Sequence, residues 1–141
     1  MNRKVYNFNT KEISNPLPED VYSKFFPDNQ SKREYEILLG TGRKDISETE
    51  VFHKDVILYD ENTIAVVFRS DEKLDATVSY SIPTGITGIS RGSTKPLKEV
   101  GSFVILGNIL LDPNLQKTAL RILTYAGNFA AYDAIKGIKS K

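Results

Sequence analysis

The chain has no cysteine and no tryptophan, and its 141 residues include only one histidine and one methionine. Without cysteine, disulfide bonds and thiolate zinc sites are excluded. Because His53 is the only histidine, acid–base schemes with two histidines and the HExxH zinc motif are excluded as well. The carboxylates are scattered over turn-like segments and do not cluster at ligand spacing. The sequence therefore predicts no metal site and no cofactor.

Long apolar runs are also missing. No segment approaches the roughly 20 apolar residues that a membrane-spanning helix needs, and the first residues, MNRKVYNFNTKE, lack the apolar segment of a secretory signal. We therefore expect no membrane association and a cytoplasmic location. The length, with 40% hydrophobic and 26% charged residues, is typical of a single compact domain over residues 1–141. The abundance of Lys, Asn and Ile suggests an AT-rich genome, and a small phage protein in the host cytoplasm would fit.

The charge is uneven although the net value is only +1. Residues 1–75 hold 11 basic and 15 acidic side chains, whereas residues 76–141 hold 8 basic and 3 acidic ones. Such an imbalance between two halves of a chain indicates an anionic partner or a surface dipole that aids solubility. Nucleic acid is the weaker prediction for that partner, because a pI of about 7.9 is modest for a general nucleic-acid binder.

The middle of the chain has the pattern of antiparallel strands. Three β-branched and aromatic runs, EVFHKDVILYD, TIAVVFRS and ATVSYSIP, are separated by the short turns DEN and DEKLD. Short turns favour hairpins, so the runs predict a β-meander. In the last run Val78, Tyr80 and Ile82 alternate with hydroxyl residues, which predicts one exposed face. The next apolar run, residues 100–112, predicts another strand with a bulge or bend at Gly107.

Two helices are predicted at the ends of the chain. A short N-terminal helix follows from SNPLPEDVYSKFF, with Pro18 in its first turn. A long C-terminal helix from Pro113 to Lys136 follows from the N-cap residue Asp112. The predicted fold class is therefore α+β, an antiparallel meander packed against the long C-terminal helix. Because apolar residues surround that helix on nearly all sides, we expect a homo-oligomer to cover the rest.

Residues 84–98 are predicted to form a long, glycine-rich, basic loop. No periodic pattern is visible there, and loops longer than about 12 to 15 residues are usually functional or disordered. Glycines free the backbone to present N–H groups to an anion, arginine and lysine supply charge, and hydroxyls donate hydrogen bonds. The GxxxxGK[ST] and GxGxxG phosphate-binding motifs are both absent. The candidate ligand-binding residues are Tyr80, Gly88, Arg91, Gly92, Ser93, Thr94 and Lys95.

Together these features predict a non-enzymatic protein that binds, and in a phage would sequester, a nucleotide-like or other phosphorylated small molecule. In this hypothesis Arg91 and Lys95 hold the phosphate, with Arg91 the stronger contact, and Tyr80 stacks on a base. Two alternatives stay open. One is a protein–protein inhibitor of a host enzyme, acting through the apolar helix. The other is a small RNase in which His53 works with Glu50, although a lone histidine more often lies on the exposed face of a strand.

Overall fold

A computed structural model describes residues 2–18, 35–84 and 89–138. Over these residues the chain forms nine strands in two antiparallel sheets, followed by two α-helices. The first sheet, called the N-terminal sheet, has the order β2-β1-β3-β4. Its strands are β1 (Arg3–Asn7), β2 (Glu12–Ile13), β3 (Tyr35–Lys44) and β4 (Glu50–Phe52).

The second sheet, called the large sheet, has the order β8-β7-β6-β5-β9. Its strands are β5 (Asp55–Tyr59), β6 (Thr63–Phe68), β7 (Thr77–Thr84), β8 (Ile89–Pro96) and β9 (Phe103–Asn108). The predicted antiparallel meander is confirmed, because β5 pairs with β6 and β6 with β7. A bulge at Gly107 is confirmed as well, since the β5–β9 register moves from Val56↔Gly107 to Ile57↔Ile105.

Both faces of the large sheet are buried. Ile57, Ala65 and Val67 belong to a core cluster on one face, whereas Val56 and Val66 belong to a second cluster that includes the helices. This burial corrects the expectation of an exposed face on β7. Ser79, which belongs to the supposedly exposed set, is fully buried, because the strand packs against a helix on that side.

The C-terminal segment forms two helices, α1 (Pro113–Ala126) and α2 (Phe129–Ile138), so the prediction of one long helix is wrong. Asp112 caps α1 as expected, accepting hydrogen bonds from the backbone N–H groups of Asn114 and Leu115. The chain leaves α1 at Gly127, whose φ of 72° is left-handed and whose N–H group bonds back to the last turn.

The second helix folds back onto the first, and this arrangement covers apolar surface that one long helix would have exposed. Ile135 of α2 is fully buried in the same cluster as Ile122 and Leu123 of α1, and Ala131 packs against that cluster. Over these residues, the apolar surface of the helices therefore no longer indicates a homo-oligomer. Oligomerisation itself stays a prediction.

Two further expectations concern the segments next to the sheets. The predicted short N-terminal helix falls in residues 18–26, nearly all of which lie outside the described residues. The predicted loop over residues 84–98 is corrected, because Ile89–Pro96 is strand β8 and pairs with β7 from Thr77↔Pro96 to Thr84↔Ile89. Backbone pairing defines this edge strand, and its glycine and hydroxyl residues carry no apolar alternation that a sequence pattern could reveal.

Candidate functional site

The β7–β8 hairpin places three of the predicted ligand-binding residues on one face. Tyr80 pairs with Ser93, and the neighbouring pair on the same face is Val78 and Lys95. Because side chains alternate along strands, these residues face the side of the sheet away from α1 and α2. Tyr80 packs there against the cluster that contains Val78 and Tyr59. The structure therefore brings Tyr80, Ser93 and Lys95 together.

Lys95 holds its ammonium group between two tyrosine rings. The Nζ atom lies 5.1 Å from the ring centroid of Tyr80 and 5.2 Å from that of Tyr59. Contacts of this kind stabilise a cation by about 0.5 to 2 kcal/mol. Within the described part of the chain, no carboxylate forms a salt bridge with Lys95. The positive charge is thus held in place by aromatic faces and remains available to an anion.

Tyr59 adds a buried donor beside this lysine. Its side chain is only 5% exposed, and its hydroxyl has no hydrogen-bond partner among the described residues. Burial, together with the neighbouring Tyr80 and Asp60, raises the pKa of Tyr59 to about 12. The hydroxyl therefore keeps its proton at neutral pH. An unpaired buried hydroxyl is costly, so an acceptor brought by a ligand would stabilise it.

Two other predicted residues lie on the opposite face and serve the packing of the helices. The hydroxyls of Thr94 and Ser79 are hydrogen-bonded at 3.0 Å, and the side-chain amide of Asn128 donates to Ser79 Oγ at 3.1 Å. A Cβ atom on Gly92 would lie 2.9 Å from the backbone nitrogen of Ala126. Ser93 and Thr94 cannot line one shell together, because consecutive strand residues face opposite sides.

The last two predicted residues are only partly described or not described. Arg91 pairs with Ile82 in the hairpin, but its side chain lies outside the described part of the structure. Gly88 lies outside the described residues altogether. Tyr59 was missed by sequence reasoning, because its run VILYD reads as a plain core strand. Only the pairing of β5, β6 and β7 brings its ring beside Lys95.

His53 is buried, which corrects the expectation of an exposed strand position. Its Nδ1 atom accepts a hydrogen bond of 2.8 Å from the backbone N–H of Arg69, and its ring contacts Phe68 edge-on. Burial, with the nearby Lys54 charge, lowers the pKa of His53 to about 4. Glu50, its proposed partner in an RNase, accepts hydrogen bonds from Asn2 and from the Gly42 N–H group. A neutral, engaged imidazole is poorly suited to proton transfer.

Among the residues that the structure describes, no group of three or more acidic or histidine side chains could hold a metal ion. The same residues include no helix long and apolar enough to cross a bilayer. No protein-family model matches the chain, and no curated protein matches it in sequence.

Proposed function

We propose that this protein binds a nucleotide-like or other phosphorylated small molecule on the hairpin face formed by Tyr59, Tyr80, Ser93 and Lys95. The observation that carries the proposal is the lysine ammonium between two tyrosine rings, beside a buried hydroxyl without a partner. A phosphate oxygen would accept a charge-assisted hydrogen bond from the Lys95 ammonium, and the Tyr59 hydroxyl is the second candidate donor. Charge-assisted bonds of this kind contribute roughly 1.5 to 3 kcal/mol each.

In the proposed site, side chains on paired strands hold the phosphate, whereas in a simple glycine-rich phosphate loop the backbone does so. Lys95 is the central cation, the exposed Ser93 hydroxyl supports the phosphate, and the half-buried Tyr80 ring offers a surface for a base. Arg91, four residues before Lys95 in the chain, stays a candidate phosphate contact, and its backbone pairs with Ile82. In a phage, a binding protein of this kind would sequester a host signalling nucleotide without chemical turnover, alone or as a homo-oligomer.

Calorimetry with AMP, ADP and cyclic nucleotides tests this proposal, with adenosine as the phosphate-free control. Lys95→Met should weaken binding by about ten- to a hundredfold, the factor that corresponds to one lost charge-assisted bond. Lys117→Met is the matched control, because Lys117 is exposed on α1 on the other side of the large sheet. If none of the nucleotides binds, or if Lys95→Met binds as tightly as the parent, the proposal fails.

The inhibitor alternative has one observation in its favour. Tyr125 and Phe129 are 44% and 62% exposed on either side of the turn between α1 and α2. Exposed aromatic residues are typical anchors of protein–protein contacts. Nucleotide binding that survives Phe129→Ser would separate the two hypotheses, because the helix junction is not part of the proposed phosphate site.

A further inference from the structure

A cavity of about 330 Å³ lies between the N-terminal sheet and the β5 and β9 strands of the large sheet. Its volume falls within the range of small-molecule sites. The wall has a charged part, with Lys4, Glu50 and Asp55, and an aliphatic part, with Ile13, Ile105 and Leu111. The cavity is separate from the Lys95 site, because Asp55 and Tyr59 stand at opposite ends of β5.

Both carboxylates of the wall are fixed by protein donors. Asp55 is 5% exposed, and its oxygens accept hydrogen bonds from the Phe52 N–H at 2.8 Å and the Asn108 amide at 2.9 Å. Glu50 accepts bonds from the Asn2 amide at 2.9 Å and the Gly42 N–H at 3.1 Å. A carboxylate has about four acceptor positions. Each group is therefore held in position and still has capacity for a ligand donor.

Lys4 supplies the opposite charge. Its ammonium lies 4.5 Å from the centroid of the Phe52 ring, and its charge is close enough to oppose the rise that burial causes in the pKa of Asp55. No salt bridge joins Lys4 to a carboxylate in the described ranges. The cavity thus presents anchored carboxylates and a lysine that contacts the Phe52 ring and forms no salt bridge in the described ranges.

We propose that this cavity binds a small zwitterion with an aliphatic body, of the size of a free aliphatic amino acid. Lys4 pairs with the ligand carboxylate, and Glu50 and Asp55 accept from its ammonium group. The aliphatic part of the wall contacts the ligand side chain. A phosphate dianion is disfavoured by the two carboxylates, and an amine alone would leave the lysine without an anion.

Leucine and two analogues, each lacking one charge, test the inference by calorimetry. The analogues are 4-methylpentanoate, which lacks the ammonium group, and 3-methylbutylamine, which lacks the carboxylate. We expect leucine to bind at least about tenfold more tightly than either analogue, the factor for one charge-assisted bond. Lys4→Met should remove the preference for leucine over the amine. Lys73→Met, which changes an exposed lysine in the β6–β7 turn, should leave it intact.

Leu111→Glu provides a second variant, because Leu111 is 52% exposed and tolerates a polar side chain more readily than a core residue. It adds a charge to the aliphatic wall and should weaken leucine binding, while circular dichroism reports an unchanged fold. The inference is overturned if leucine gives no binding heat at millimolar concentrations, if 4-methylpentanoate binds as tightly as leucine, or if Lys4→Met retains the parent's preference.

Discussion

Tyr59→Phe separates the stability of this protein from its proposed function. The substitution removes one hydroxyl that is buried without a partner among the described residues and leaves the ring that packs in the core. Leaving such a group unpaired costs roughly 1 to 3 kcal/mol. In the absence of ligand we therefore expect Tyr59→Phe to be more stable than the parent by about 1 kcal/mol. For a chain of this length that gain corresponds to a Tm increase of about 2 to 4 °C.

Urea denaturation followed by circular dichroism measures this change, and calorimetry with the nucleotide panel measures binding. We expect the variant to gain stability. We also expect it to bind a phosphorylated ligand more weakly, because the binding site loses one hydrogen-bond donor. Tyr125→Phe is the control, since Tyr125 is 44% exposed. A loss of more than about 1 kcal/mol in Tyr59→Phe would show that the hydroxyl is paired in the empty protein. Tyr59 would then offer no unpaired donor to a ligand, and the proposed phosphate site would be contradicted.

Two further predictions concern the fold. Gly92→Ala should destabilise the protein by about 1 to 3 kcal/mol, because the new Cβ meets backbone atoms that cannot rotate away. Gly101→Ala, where nothing lies within 4 Å of the new Cβ, should change the urea midpoint little, and equal effects would contradict the packing argument. His53 has a folded pKa of about 4, below its ordinary 6.5, so its contribution to stability is present above pH 6.5 and is lost as the pH falls towards 4. His53→Asn keeps an acceptor for the Arg69 N–H group and should remove up to about 3 kcal/mol of this pH dependence, whereas an unchanged pH profile would assign it to other groups.

Local chemistry was sufficient to predict several elements. The β5–β6–β7 meander follows from β-branched runs with short turns, and the start of α1 follows from the side chain of Asp112. The break at Gly127 was missed, because apolar residues continue on both sides of it as far as Lys136. A left-handed glycine followed by asparagine is a recognised helix end, so that signal was present in the sequence.

The site could be predicted only in part, because it depends on pairing between distant strands. The sequence placed Lys95 and Tyr80 in one candidate site, and their side chains are in contact in the structure, but Lys95 was assigned to a loop. Tyr59 lies 36 residues before Lys95 in the sequence, and only the order β8-β7-β6-β5 brings the two side chains together. No local sequence pattern indicates that Tyr59 and Lys95 are neighbours in the fold.

The hydroxyl-rich composition that suggested a phosphate loop has two separate structural causes. On the helix side of the hairpin, the buried hydroxyl of Ser79 is hydrogen-bonded to the exposed Thr94 hydroxyl and to Asn128 at the junction of α1 and α2. A buried hydroxyl is tolerated there because it has these partners. On the other side, the hydroxyl of Tyr59 has no partner among the residues that the structure describes. Hydroxyls on the two sides of the sheet thus differ in whether they have a partner, and the side with the unpaired Tyr59 hydroxyl is the one where we propose that a ligand binds.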